Sequence, residues 1–510
     1  MSPAATHSAS TPGKTALSSV GPFLPILGAS LFWWTASDRL DLPKLGLALG
    51  LALAVLILRM LRKEAWTFVW TSALIIALVF NPTGMGERIE VWALWLLWLV
   101  MVALGRGLAE DELAVWLARL ALGLSAIAWL QAAGLPLFNS ELSGFEGRRV
   151  VATLGGPGHL GWSLALLLPW LAHHARQRYA PVAAGALIAF VLGALVLSGA
   201  RTAWIMAAVS LPLGLGWPGA KRILWLAGLA LLGMGLAVGL DLLGDKARLG
   251  DRIEDLSEAG GTAQGRAYLW RVHWSAKSGA LAPGLGYGPE GFQRRWPHWQ
   301  NAYLKQHPED ARFRSDLRHA HADLVELACD LGPLALLGLL VLLGLAVWRK
   351  PSQGRLRGGP ALGCLAAALL GGMTAPLLFF APTAAIVGLS LGLRLGAARR
   401  MGPPGTRLLL LGLLGVGLFF LAQRGYSEVA RSRASLLRSA GQLDLARVLV
   451  EQAIAIDQGN SRAWIERASI CRAAGDAVCA CQSVGQARAR LPNDPLQRRH
   501  DACQAHGRWW

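Results

Sequence analysis

Uncharged apolar runs, most of them close to twenty residues long, follow one another along most of this chain and constrain its fold more than any other feature. Crossing ~30 Å of hydrocarbon takes about 20 mainly apolar residues in helical form. Candidate spans fall at 22–37, 43–61, 65–82, 90–107, 113–134, 159–173, 180–199, 201–217, 222–242, 321–348, 359–377, 379–397 and 406–424. In lipid every backbone N–H and C=O must be satisfied within its own segment, so such runs fold as helices packed on helices. The expected fold is therefore all-α, a polytopic transmembrane helical bundle of about 12–13 spans. Only 16% of the 510 residues are charged, where a soluble chain carries about a quarter. The 22 Trp against 5 Tyr suit a chain with many water–lipid boundaries, where an amphipathic ring is favoured.

A net charge of +18 invites a nucleic-acid reading. The distribution excludes it, because Lys and Arg lie mostly in short loops between apolar runs and not in one stripe. Basic clusters at Arg59–Lys63, His173–Arg178, Lys221–Arg222, Arg349–Arg357 and Arg399–Arg407 fall at alternate connections. The positive-inside rule makes these cytoplasmic, which puts the N-terminus inside and the C-terminus outside. Residues 1–20 read as a disordered tail without the basic, apolar, small-residue order of a cleaved signal, so the first apolar segment reads as a retained anchor.

Residues 21–424 then form the membrane domain, with one long outer loop at 244–320. Connections of that length are functional or disordered. This one holds Trp270, Trp274, Tyr287, Phe292, Trp296 and Trp299, so it is expected to fold as a small helical cap. Residues 425–510 turn soluble and helical, and carry an internal repeat. Arg438-Ser439-Ala440-Gly441 aligns with Arg472-Ala473-Ala474-Gly475, Ala446 with Ala480 and Ala453 with Ala487, an offset of 34 residues. That is the tetratricopeptide period, and Asn493-Asp494-Pro495 ends the second unit as a helix stop should. Two readings stay open: a hairpin that stabilises the cap, or a surface for a protein partner. Cys329 and Cys364 lie in apolar runs as small hydrophobes. Cys471, Cys479, Cys481 and Cys503 cluster in the exported tail, where disulfides form, and allow three pairings.

Three stretches carry chemistry, and the topology brings them to one membrane face. In Ser198-Gly199-Ala200-Arg201, Arg201 interrupts an apolar run long enough for about two spans. It either snorkels to the headgroups or faces inward and holds an anion. Arg266, Trp270 and Trp274 are four apart and share one helix face, amphipathic enough to lie on a bilayer. Pro283–Gly288 is a glycine-rich turn, with no preceding strand to make it a dinucleotide fingerprint. His319 and His321 sit where the loop meets the next run, and histidine is the side chain tuned for proton transfer near neutral pH. No ligand cluster with metal spacing accompanies them, so neither a metal nor another cofactor is expected. Asp323 and Glu326 read as interfacial carboxylates. Cations, a base and aromatic rings together suit a donor made of a lipid diphosphate and a sugar.

This set resembles the O-antigen ligase and polymerase superfamily. The resemblance rests on Arg201 with Trp204, on Arg266 and Trp270 with the Pro283–Gly288 turn, and on His321 with Asp330 and Gly332. The stretch from Arg149 through Gly156-Pro157-Gly158-His159 is similar to the family's Asn-Pro-Asn approach to an earlier span. Departures are Ala200 where the family has Ser, Ala322 where it has Asn, and Gly156 and Gly158 where it has two Asn. The resemblance implies transfer of a glycan from undecaprenyl diphosphate to an acceptor hydroxyl, in a bacterial inner membrane, with a periplasmic cap and tail. It implies His321 as general base, Arg201 and Arg266 on the donor diphosphate, and His319, Ser198, Trp270 and Arg149 in support. Acceptors in the family are lipid A-core, another lipid-linked glycan (the polymerase reaction) or a protein hydroxyl. A lipid or polysaccharide transporter is the rival from another class. It predicts inverted repeats and polar groups at mid-membrane, and neither is visible here. A non-catalytic assembly scaffold built on the tail repeats is the other.

Overall fold

A computed structural model of the chain describes most of residues 97–135, 150–215, 262–277, 291–314, 320–348, 359–395 and 426–490, with scattered positions elsewhere. The tail 1–20 and the candidate spans at 22–37, 43–61 and 65–82 lie outside the described residues, as do nearly all of 222–242 and 406–424. The described residues form helices and no strand. In chain order they are α1 (Glu110–Ala132), α2 (Pro157–Arg178), α3 (Pro181–Leu197), α4 (Arg201–Gly214), α5 (Thr262–Lys277) and α6 (Gly291–Gln306). A 3-10 turn at Pro308–Phe313 leads to α7 (Asp323–Asp330), α8 (Pro333–Trp348), α9 (Pro360–Gly372) and α10 (Ala381–Leu395). The tail holds α11 (426–439), α12 (Leu443–Ile456), α13 (Ser461–Ala473) and α14 (Ala477–Arg490).

Proline starts several of these helices, because its missing N–H is one that the first turn leaves without an intrahelical partner. Pro157, Pro181 and Pro360 hold that place in α2, α3 and α9. Connections are short enough to force antiparallel neighbours: two residues between α2 and α3, and three between α3 and α4, where Gly199 takes φ +63. The candidate span 321–348 is divided into two helices. Gly332 takes φ +89 and Pro333 follows without an N–H, so α7 stops after eight residues and α8 starts afresh.

Helix α2 is the centre of the bundle, against α1, α3, α4, α9 and α10. Trp170, Leu164, Leu168 and Leu171 of α2 are fully buried beside Leu97 and Met101. Small residues let backbones approach, as in membrane helices generally. A Cβ on Gly363 of α9 would meet the Ser210 carbonyl and Gly214 of α4, while the Ser210 hydroxyl donates to the Ala165 carbonyl at 3.3 Å. Among the described residues α1 is the one helix both long and apolar enough to cross a membrane, and α3, α9 and 382–395 are shorter apolar helices.

The antiparallel order sorts the connections to two ends. At one end His173, Arg176 and Arg178 finish α2, Arg176 donates to the Leu215 carbonyl at 3.2 Å, and Arg394 donates to the Ala346 carbonyl at 2.8 Å. Burial, then the Arg119 and Arg178 guanidiniums, lower the pKa of His174 from its ordinary value there. The opposite end carries the α3–α4 turn, the start of α2 and the α9–α10 loop. The cap has its own core of Tyr268, Val272, Phe292, Trp296 and Tyr303.

In the tail, the 34-residue offset recurs as geometry. Gly441 and Gly475 both take φ +77 at the turns, and Ala446, Ala480, Ala453 and Ala487 are all buried. Asn460 caps α13 by accepting the Ala463 N–H at 3.2 Å. Cys471 is bonded to Cys479 and Cys481 to Cys503, while Cys329 and Cys364 form no disulfide and are buried.

Candidate active site

Two of the residues singled out in the sequence, Ser198 and Arg201, lie at the end of the bundle opposite the basic one. Arg201 is the first residue of α4 and so stands at that helix's N-terminus. Ser198 organises the turn before it. Its buried hydroxyl donates to the Leu195 carbonyl at 2.6 Å and accepts the Ala200 N–H at 3.3 Å. The serine is therefore engaged by backbone on both sides. Gly161 of α2 packs against this turn, and a Cβ there would meet Ser198, Ala200 and Ala203. Trp204, one turn further along α4, donates from its indole to the Leu195 carbonyl at 3.4 Å.

Helix α2 brings His159 to the same end. Its ring stacks on Phe380 at 3.9 Å between centroids and tilts against Trp162 at 5.4 Å. Phe380 belongs to the α9–α10 loop, which the Thr383 hydroxyl holds through the Leu377 and Phe380 carbonyls. Gln131, at the end of α1, fixes the segment before α2. Its amide oxygen accepts the N–H groups of Val151 and Ala152 at 3.0 and 2.9 Å, and its nitrogen donates to the Ala152 carbonyl at 3.2 Å. Ala152 sits at φ +47, a conformation unusual for a residue with a Cβ.

Three buried carboxylates of α7 then join the bundle to the cap. Asp323 accepts the Leu378 N–H with both oxygens, at 3.0 and 3.2 Å, which locks α7 to the α9–α10 loop. Glu326 accepts the Ala320 N–H at 2.9 Å. Asp330 accepts the Phe292 N–H at 3.1 Å and so caps the start of α6, while the Cys329 carbonyl accepts the Tyr287 N–H at 2.8 Å. In the sequence Asp323 and Glu326 read as interfacial carboxylates. They are interior groups, each neutralising a backbone donor that would otherwise be buried unsatisfied. Their positions 323, 326 and 330 share one helix face, and that spacing was the available signal. Gln131 carried none.

Of the other predicted residues, Trp270 is on the outward face of α5 and not in the cap core. His321, His319 and Arg149 lie outside the described residues, as does the side chain of Arg266, whose backbone is part of α5. No group of three or more His, Cys, Asp or Glu with metal-binding proximity occurs among the described residues.

Among the described residues, a bundle of apolar helices meets a small aromatic cap at one end, with buried carboxylates at the junction. The family model described as O-antigen ligase matches residues 184–340, from α3 through the cap into α8. The match gives this chain an O-antigen ligase domain and supports the O-antigen ligase superfamily as its family, which implies a bacterial membrane protein. It encloses Arg201, Arg266, Trp270, His321, Asp330 and Gly332. A search of curated proteins found none that matches the chain.

Proposed function

We propose that the protein transfers a glycan from a polyprenyl-diphosphate donor to an acceptor hydroxyl at the periplasmic face of a bacterial inner membrane. The O-antigen ligase match over 184–340 carries this reading, since it contains every residue to which the reaction would be assigned. Arg201 and Arg266 hold the donor diphosphate. The start of α4 adds the partial positive charge of a helix N-terminus beside Arg201, where an anion is favoured. His321 takes the proton of the acceptor hydroxyl as its oxygen attacks the anomeric carbon. The bond from that carbon to the diphosphate oxygen breaks, and the two arginines stabilise the charge left on the leaving group. Glu326 holds the Ala320 N–H just before that position, and Asp323 ties the start of α7 to the α9–α10 loop, which supports a base kept in place there.

In this reading the membrane domain is 21–424 with about thirteen spans, the cap 244–320 is periplasmic, and the tail 425–510 is a periplasmic tetratricopeptide-like domain. The equal turn angles at Gly441 and Gly475 support the repeat. The test is reconstitution of the full chain with an undecaprenyl-diphosphate glycan and, in turn, lipid A-core, a second lipid-linked glycan and a peptide bearing Ser and Thr. The expected result is transfer to one of them, lowered about 100-fold or more in His321→Ala. Transfer to none would sink the transferase reading, and an unchanged rate in His321→Ala would remove the base from that residue.

A further inference from the structure

Helix α5 turns its two largest apolar side chains outward. Trp270 is 49% and Trp274 75% exposed, while Tyr268, Leu269, Val272 and His273 on the other side are buried. Ala267 and Arg271 are exposed with them, so the outward residues form one stripe along the helix. The charge of Arg271 on this stripe is offset by Asp310, whose carboxylate lies 3.2 Å from its guanidinium.

The height of this stripe is fixed by its neighbour. His273 Nδ1 lies 4.0 Å from Cys329 Sγ in α7. Cys329 lies near the end of α7, four residues before Pro333, where apolar α8 begins. Within its first turns α8 turns Leu334, Leu337, Leu340 and Val341 outward, all of them exposed and on one face. The helix that carries the tryptophan stripe thus packs through His273 against the segment that leads into an outward apolar stripe. Tryptophan is enriched at the headgroup level of membranes, where one side of its ring meets hydrocarbon and the indole N–H meets water.

We infer that Trp270 and Trp274 rest in the headgroup layer of the outer leaflet, which makes α5 an interfacial helix that anchors the cap beside α8. The inference rests on α8 crossing the membrane and is independent of the reaction catalysed. It is tested on the full chain in nanodiscs of phosphatidylethanolamine and phosphatidylglycerol, with nitroxide labels at Trp270→Cys or Trp274→Cys and a control at Lys305→Cys on α6. Cys329 and Cys364, the two cysteines outside the disulfides, are buried, so label goes to the introduced site. Collision with oxygen is expected to rise, and collision with a nickel chelate to fall, at 270 and 274 relative to 305. Ala267→Cys repeats the measurement with both tryptophans in place. Nickel collision at 267, 270 and 274 equal to that at 305 would overturn the inference. The same water-like signal with the labels immobilised by a free oligosaccharide would overturn it in favour of a sugar-stacking surface.

Discussion

The Glu326 carboxylate accepts the backbone N–H of Ala320 at 2.9 Å, and both residues are buried. One turn into α7, a side chain thus reaches back over the segment that carries His321. The Ala322 carbonyl in turn accepts the N–H groups of Val325 and Glu326, so both neighbours of His321 are tied to the helix.

Replacing Glu326 with Ala leaves the Ala320 N–H buried without this acceptor, at a cost of about 1–3 kcal/mol. Glu326→Gln keeps an acceptor oxygen at the same reach and is expected to retain most of the stability. If His321 is the base, Glu326→Ala also lowers kcat for glycan transfer while KM for the donor stays near its original value. Melting in detergent and transfer kinetics check the two parts. A Glu326→Ala protein with unchanged melting and unchanged kcat would show that the contact holds nothing in place.

Asp330 does comparable work one turn along the same helix face, at the junction of α7 with α6. Its carboxylate is the acceptor for the Phe292 N–H, and α6 begins with Gly291, which has no side chain to cap with. Asp330→Ala is expected to cost about 1 kcal/mol, and Asp330→Asn clearly less. Hydrogen exchange reads this locally: the first-turn amides of α6 should lose protection in Asp330→Ala, while those of α2 keep theirs. Equal protection in both variants would mean that the cap holds the helix start by packing alone.

What could be read in advance divides along physical lines. Long apolar runs, basic loops and a Pro–Gly punctuation are local signals, so the helical class and the boundaries of α2, α3 and α9 were legible to within a few residues. The break inside 321–348 was overlooked because one glycine at positive φ is invisible in an apolar average, although Gly332-Pro333 marks it. The motif residues Arg201 and His321 could be named from order and spacing. The contacts that build the same end of the bundle could not, because Gln131 with Val151, Asp323 with Leu378 and His159 with Phe380 pair across 20 to 221 residues of chain, and such pairings are set by packing and not by neighbours in sequence.

Burial raises two tyrosines of the cap, Tyr268 and Tyr303, above the ordinary value, and Tyr303 is moved far enough to titrate as a separate step. Burial, and then the hydrogen bond it donates to Asp310 at 2.7 Å, push the Tyr303 pKa up to about 12. The folded state therefore holds this proton more tightly than the unfolded chain, whose tyrosines titrate near 10. Its contribution to stability is complete below about pH 10 and is lost as pH rises through about 12. With 5 tyrosines in the chain, a tyrosinate absorbance titration can resolve the late step, and Tyr303→Phe should remove it. A late step that survives in Tyr303→Phe would assign it to another ring.

The tail disulfides turn the proposed topology into a chemical measurement. Cys471–Cys479 and Cys481–Cys503 close loops with sequence separations of 8 and 22. By loop-closure entropy, Ser replacements of each pair should cost roughly 2–3 and roughly 3 kcal/mol, the longer loop costing more. Such bonds persist in the periplasm and are reduced in the cytosol. In whole cells, then, a membrane-permeant alkylating reagent should leave all four tail cysteines unmodified until a reductant is added. Cys329 and Cys364 add little background, being buried. Alkylation of the tail without reductant would put residues 425–510 in the cytoplasm. With the N-terminus also inside, that requires an even number of spans, and the thirteen-span alternation that sets Arg201 and His321 on the outer face would have to be redrawn.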